Sequence, residues 1–279
     1  MDDETNITLF ESEQEKTVCI RVIKLSEAAF GSTGLKELWI EGNLLTPKNP
    51  QQDSSFGKIE FIGDSITCGY GIDGKSEDTF TTEQERADKA YAFLTAKMLN
   101  AEFQNCSWSG IGVLSCWVEP KPGNLPITNL LMPSLWPYTD KSLCKRLKTE
   151  TEIWDEKKFS PDIIVIHLGT NDASYVQENE DRRLCFLSNY RSLIEAVHRR
   201  SPNAKICCCL GAMGQDLCST VTQAVKLFKE DFPDVTIKAI TLPLQNEEKD
   251  GVGADWHPSA KTHEKLAKIL SRELRKLKK

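Results

Sequence analysis

Residues 58–76 read KIEFIGDSITCGYGIDGKS, and two chemistries compete for them. A short apolar run ends at Gly63-Asp64-Ser65, the form of a turn that presents a nucleophilic hydroxyl after a strand. Gly69, Gly74, Lys75 and Ser76 also fit the G-x-x-x-x-G-K-[ST] spacing of a phosphate loop, and Gly69, Gly71 and Gly74 fit G-x-G-x-x-G. A working phosphate loop sets its glycines directly after the strand and its Lys-Ser at a helix N-terminus, where aligned N–H groups meet the phosphates. Here Ser65 to Cys68 intervene before Gly69, and Ser76 is followed by EDTFTTEQE, polar and acidic, before any helical pattern begins. No acidic residue closes the third predicted strand to hold magnesium. The stretch therefore prepares a serine.

Working outward, apolar strand-length runs alternate with helical patterns from Lys58 to the C-terminus. Strands are predicted at Lys58–Ile62, Glu102–Cys106, Asp162–Leu168, Lys205–Leu210 and Val235–Ile240, and helices near Arg86–Asn100, Asp181–Arg200, Leu217–Asp231 and Ser259–Leu277. This is the alternation of an α/β fold, a three-layer α/β/α arrangement around a five-stranded parallel sheet covered on both faces. The last helix is the plainest, with His263, Leu266, Ala267, Leu270, Leu274 and Leu277 at three- and four-residue spacing among lysines and arginines. The interval from Ser107 to Pro161, with its tryptophans and prolines, reads as mostly loop overhanging the site.

Residues 1–45 differ. Ile7–Glu11, Thr17–Leu25 and Leu35–Glu41 have the pattern of short antiparallel strands, a partial, jelly-roll-like β-sandwich segment. Three strands make too little sheet to close a sandwich alone, so they pack on the main domain or the chain begins partway into a longer β domain. Residues 46–57, TPKNPQQDSSFG, read as the linker, and 58–279 as the catalytic domain.

A net charge of -6 over 279 residues argues against a nucleic-acid partner, which needs a basic face. No apolar run is long enough to span a bilayer. The acidic N-terminus lacks an export signal, so the sequence as it stands implies a cytoplasmic location, and a secreted one if that end is incomplete. The ten cysteines form no C-x-x-C pair and include an apolar Cys207-Cys208-Cys209 run. They read as free core thiols, with no metal site or cofactor expected.

Ligands of an open parallel sheet bind at the carboxyl ends of its strands. Gly63-Asp64-Ser65, Ser107-Trp108-Ser109-Gly110 and Gly169-Thr170-Asn171-Asp172 follow the first three strands, and Asp255-Trp256-His257-Pro258 precedes the last helix. Ester hydrolysis needs this set. Ser65 attacks an acyl carbon once a base takes its proton, and His257 suits neutral pH. The N–H groups of Ser65 and Gly110 and the Asn171 side-chain amide could form an oxyanion hole. Asp64 is expected to fix the turn. His167, His198 and His263 are read as structural. Trp256 and Trp136 are candidate substrate contacts.

These blocks, GDSITCGYG, SWSGIGV, HLGTNDAS and ADWHPS in that order, resemble the SGNH (GDSL) hydrolases from about Lys58 onward. FGSTGLKELWIEGN, KIEFIGDSITCGYG and MPSLWPYT narrow the resemblance to carbohydrate esterase family 2, acetyl xylan esterase-like enzymes with a β-sandwich ahead of a flavodoxin-like esterase domain. The resemblance implies Ser65 as nucleophile, His257 as base, and Gly110 and Asn171 in the oxyanion hole. It further implies an acetylated poly- or oligosaccharide as substrate, with a lipid or thioester hydrolase or an idle glycan-binding protein as alternatives. One departure stands out. The superfamily pattern D-x-x-H would put an aspartate at position 254, but that residue is Ala254 and Asp255 is one place nearer. Either the Asp255 carboxylate or a backbone carbonyl then orients the imidazole.

Overall fold

The computed structural model describes residues 5–45 and 55–279. Five strands, β1 (Lys58–Gly63), β2 (Glu102–Ser107), β3 (Ile163–His167), β4 (Lys205–Ala212) and β5 (Ile237–Leu244), form one sheet in the order β2-β1-β3-β4-β5. Every pairing is parallel. Strand order reverses between β1 and β3, the switch point at which open α/β sheets leave a crevice.

Both faces of the sheet are buried, so its strands are nearly continuous apolar runs. Ile163 and Val165 point to one side and Ile164 and Ile166 to the other. On the first side lie helices α2 (Tyr91–Leu99) and α6 (Ala260–Lys278), following the short α1 (Ser65–Cys68). The buried leucines of α6, Leu266, Leu270 and Leu274, each contribute about 1.5–3 kcal/mol on removal from water. The second side is covered by α4 (Glu180–Arg200) and α5 (Cys218–Asp231), preceded by α3 (Thr170–Val176). All ten cysteines are free, and Cys207, Cys208 and Cys209 are fully buried in β4.

Several expectations are corrected. The helix predicted over 86–100 is a 3-10 turn, Ala87–Lys89, and then α2, because Ala90 between them is extended. β5 runs on through Pro243, which an edge strand tolerates since one side of its ladder is unpaired. Helix α3 was not among the helices predicted. No β-ladder forms among residues 5–45. Ile7, Val22, Leu35 and Trp39 are exposed there, and strands without a partner sheet bury no apolar face. The expected linker lies mostly outside the described residues.

The 107–161 interval does more than overhang the site. It sends Met132, Leu135 and Trp136 into the core. Among the described residues no helix is long and apolar enough to cross a membrane.

Candidate active site

β1 ends at Gly63 and the chain turns sharply into α1. Asp64 caps that helix, its Oδ1 accepting the Ile66 N–H at 3.0 Å, as side-chain capping of orphan N–H groups requires. This leaves Ser65 at the first helical position, at the carboxyl edge of the sheet. The glycines that mimic a phosphate loop serve a different purpose. A Cβ on Gly71 would lie 3.0 Å from the Ala254 Cβ, and one on Gly74 2.8 Å from it. Ala254 also donates its N–H to the Gly71 carbonyl at 2.9 Å. The glycines let two backbone segments cross in close contact, and the crossing delivers His257 to Ser65.

His257 Nε2 lies 2.9 Å from Ser65 Oγ, across 192 positions of sequence. Its Nδ1 lies 3.2 Å from the carbonyl oxygen of Asp255. A carbonyl only accepts, so Nδ1 carries the proton and Nε2 presents its lone pair to the serine hydroxyl. The backbone carbonyl thus orients the imidazole. The Asp255 carboxylate, offered by the sequence as the alternative, instead accepts the Tyr70 hydroxyl at 2.9 Å. The turn responsible is strained: Asp255 (φ 49°) and Trp256 (φ 62°) are both left-handed, at a cost of order 1–3 kcal/mol each. Contacts on either side hold it, the Gln245 amide donating to the Trp256 carbonyl at 2.9 Å and Gly253 N–H to the His257 carbonyl at 2.7 Å. Burial holds the imidazole pKa below its ordinary value, against the carbonyls of Asp255 and Ala254, which favour the cation.

The other donors come from neighbouring strands. Gly110 follows β2 and is left-handed, with φ 76°, a conformation that glycine adopts without penalty. Asn171 is nearly buried in the first turn of α3 and donates through Nδ2 to the Ile111 carbonyl at 2.8 Å, using one of its two N–H bonds. Ser65, Gly110 and Asn171 therefore follow three adjacent strands. Asp172 ties these parts together. Its Oδ1 accepts the N–H groups of Val113 at 3.0 Å, Leu114 at 2.7 Å and Ser115 at 3.0 Å, fixing the loop beyond Gly110 to α3. Burial pushes its carboxyl up to about 6, against the pull of those N–H groups.

The two tryptophans separate. Trp256 is 54% exposed beside the imidazole. Trp136 is not at the site: it is buried, donates from Nε1 to Glu60 Oε1 at 3.0 Å and lies under the Arg200 guanidinium. The polar end of an indole needs a partner when buried, and Glu60, in the middle of β1, supplies one away from the carboxyl rim. An aromatic that the sequence reading passed over, Trp117, is 57% exposed and donates its backbone N–H to the Gly110 carbonyl at 2.9 Å. Among the described residues one group has metal-ligand spacing, Glu27, Cys68 and Glu85, with ligand atoms within 4.8 Å of one another. Burial raises the Cys68 thiol well above its ordinary pKa and so favours its protonated form.

The profile of the GDSL-like lipase/acylhydrolase family matches residues 61–265. The chain is 38% identical over 241 residues to the cellulase/esterase CelE of Acetivibrio thermocellus, covering 84% of this chain and 27% of that protein. A family two carbohydrate esterase from Clostridium thermocellum, solved in complex with cellohexaose, superposes with a TM-score of 0.67 at 38% identity. The acetyl xylan esterase Est2A of the rumen bacterium Butyrivibrio proteoclasticus does so with 0.71 at 27%. Each superposition covers 78% of this chain and 63% of the other, so the chain spans less than two thirds of these relatives. The chain belongs to the GDSL-like lipase/acylhydrolase family, and the solved relatives it resembles include carbohydrate esterases of family two.

Proposed function

We propose that the protein is a serine esterase that removes short acyl groups, acetyl foremost, from hydroxyls of a carbohydrate. The observation that carries this reading is the 2.9 Å contact of Ser65 Oγ with His257 Nε2, backed by the carbonyl at Nδ1. Ser65 Oγ attacks the ester carbon while Nε2 takes its proton. The oxyanion meets the N–H groups of Ser65 and Gly110 and the second N–H of Asn171, where loss of one donor costs about 10²–10³ in rate. Collapse expels the sugar oxygen, which takes the proton from Nε2 and leaves an acetyl-serine. Water attacks that ester with His257 again as base, releasing acetate and regenerating Ser65. No metal is needed in this sequence of steps. Trp117 and Trp256, one joined to Gly110 and the other to His257, offer aromatic faces on which a sugar ring can stack. The relatives' names and the cellohexaose complex support a carbohydrate substrate.

The test measures hydrolysis of p-nitrophenyl acetate, a long-chain p-nitrophenyl ester and an acetylated xylo-oligosaccharide by wild type, Ser65→Ala and His257→Ala. Activity on both acetyl substrates that disappears in the two variants is expected. Undiminished activity of Ser65→Ala would end the proposal, and preference for the long-chain ester would convert it to a lipid hydrolase.

A further inference from the structure

Glu27 is the one buried residue among residues 5–45. That is an unusual choice, because a carboxylate is costly to desolvate unless it is hydrogen-bonded. Burial raises its pKa, with the contacts to Ser109 pulling the other way. Its Oε2 accepts the N–H of Ser109 at 2.7 Å. The next amide along the chain is that of Gly110, the proposed oxyanion donor. Gly110 itself is left-handed, and a Cβ built on it would meet open space, so no side-chain packing on that side fixes it. Three hydrogen bonds frame it: Glu27 on the Ser109 N–H, the Ile111 N–H on the Trp108 carbonyl at 3.3 Å across the turn, and the Trp117 backbone N–H on its own carbonyl at 2.9 Å.

The Glu27 carboxylate is itself located. Its backbone N–H donates to Glu85 Oε2 at 3.0 Å, and Lys24 Nζ donates to its carbonyl at 3.1 Å. The Leu25 carbonyl accepts the Ala87 N–H at 3.3 Å. Phe30 closes the strap against Phe80, with ring centroids 5.0 Å apart. Residues 24–30 are thus pinned to the loop between α1 and α2, although they lie outside the stretch matched by the family profile.

We propose that Glu27 is a positioning residue that acts through Ser109 to aim the Gly110 N–H at the oxyanion, so that the segment preceding the family match completes the esterase site. The inference rests on the esterase reading above. A mispositioned donor weakens transition-state binding without weakening substrate binding, so its signature is a fall in kcat at constant KM.

The experiment compares wild type, Glu27→Ala and Glu27→Gln on p-nitrophenyl acetate. Rates are normalised to active sites titrated with a fluorophosphonate, and affinity is measured for an alkylboronic acid that forms a tetrahedral adduct with Ser65. Glu27→Ala is expected to lower kcat per titrated site about tenfold, a fraction of the loss on deleting a donor outright, with KM within about twofold and boronate affinity falling in parallel. Glu27→Gln, whose amide oxygen still accepts the Ser109 N–H, is expected to recover most of that loss. If Glu27→Ala does not fold, Glu27→Asp withdraws the acceptor by one methylene and carries the same comparison. An unchanged kcat per titrated site in the Ala or Asp variant, or an equal fall in the Gln variant, overturns the inference. A wild type inert to both ester and fluorophosphonate would instead remove the esterase reading on which it stands.

Discussion

The Tyr70 hydroxyl donates to Asp255 Oδ2 at 2.9 Å, while its ring lies 4.3 Å, centroid to centroid, from that of His257. One side chain therefore both flanks the imidazole and holds the carboxylate of the residue whose carbonyl orients it. Phe80 stacks on the other side of Tyr70 at 3.7 Å and limits its movement. Because orientation comes from the main chain, Asp255→Asn is expected to keep kcat within about threefold, since an amide oxygen still accepts the Tyr70 hydroxyl. Tyr70→Phe, which frees the strained turn, is expected to cost more than Asp255→Asn. His257→Ala, which removes the base, is expected to cost about 10²–10⁴. Steady-state kinetics on p-nitrophenyl acetate rank the three. An Asp255→Asn loss as large as that of His257→Ala would show that the carboxylate does the orienting.

Ala254 stands where the superfamily pattern has an aspartate, and the structure gives the reason. It is fully buried against the backbones of Gly71 and Gly74, and overpacking such a site typically costs about 1–3 kcal/mol. Writing the missing carboxylate back in would also bury a charge. Ala254→Asp is thus expected to lower both Tm and kcat and not to build a triad. A more active Ala254→Asp enzyme would count against the Ser65–His257 pair as sufficient in itself.

What could be read from sequence divides along physical lines. The sheet was legible because parallel strands buried on both faces leave apolar runs such as Ile163–Ile166. That Ser65 and His257 would meet was legible because the four motif blocks in order place a hydroxyl and an imidazole at the rim of such a sheet, as in the resemblance to family two. Which of the two offered groups orients the imidazole, the Asp255 carboxylate or a backbone carbonyl, was not, since the left-handed turn that aims the Asp255 carbonyl arises from the crossing of residues 71–74 with 253–254, a tertiary event without a local pattern. Trp136 misled because an exposed and a buried indole look alike in a loop. Glu27 was invisible for a related reason: burial of one carboxylate in an otherwise exposed segment depends wholly on what it meets across the chain.

Trp117 and Trp256 are both more than half exposed beside the site. Stacking on a sugar adds to ground-state and transition-state binding alike, which moves KM and leaves kcat. Trp117→Ala or Trp256→Ala is expected to raise KM for an acetylated oligosaccharide several-fold and to leave p-nitrophenyl acetate nearly unaffected. Equal effects on the two substrates would assign the ring to packing around Gly110 or His257 instead.

The imidazole of His257 must be neutral to accept the serine proton. Burial lowers its pKa from the ordinary 6.5, so the active form persists to lower pH than a solvated histidine would allow. The acid limb of kcat/KM for p-nitrophenyl acetate is accordingly expected to have its midpoint below pH 6.5. A midpoint above 6.5 would mean that an ionised carboxylate stabilises the cation, contrary to the observed geometry.

Asp64 bears on stability in the opposite direction. It is fully buried, and desolvation raises its carboxyl from 3.8 to about 7, against the pull of the Ile66 N–H. A carboxyl whose folded pKa is raised contributes stability that is complete below the unfolded value and is lost as pH rises through the folded one. The ionised form thus works against the fold, whereas Asn at this position stays neutral and keeps an oxygen for the Ile66 N–H. Buried His167 and His263, pushed down to about 4 and about 3, act the other way, losing stability as pH falls through those values, but they are common to both proteins and cancel in the comparison. Subtracting the Tm of Asp64→Asn from that of wild type should give a difference that declines steadily between pH 5 and pH 8. A difference that is flat over this range would mean that Asp64 stays ionised, or stays protonated, throughout.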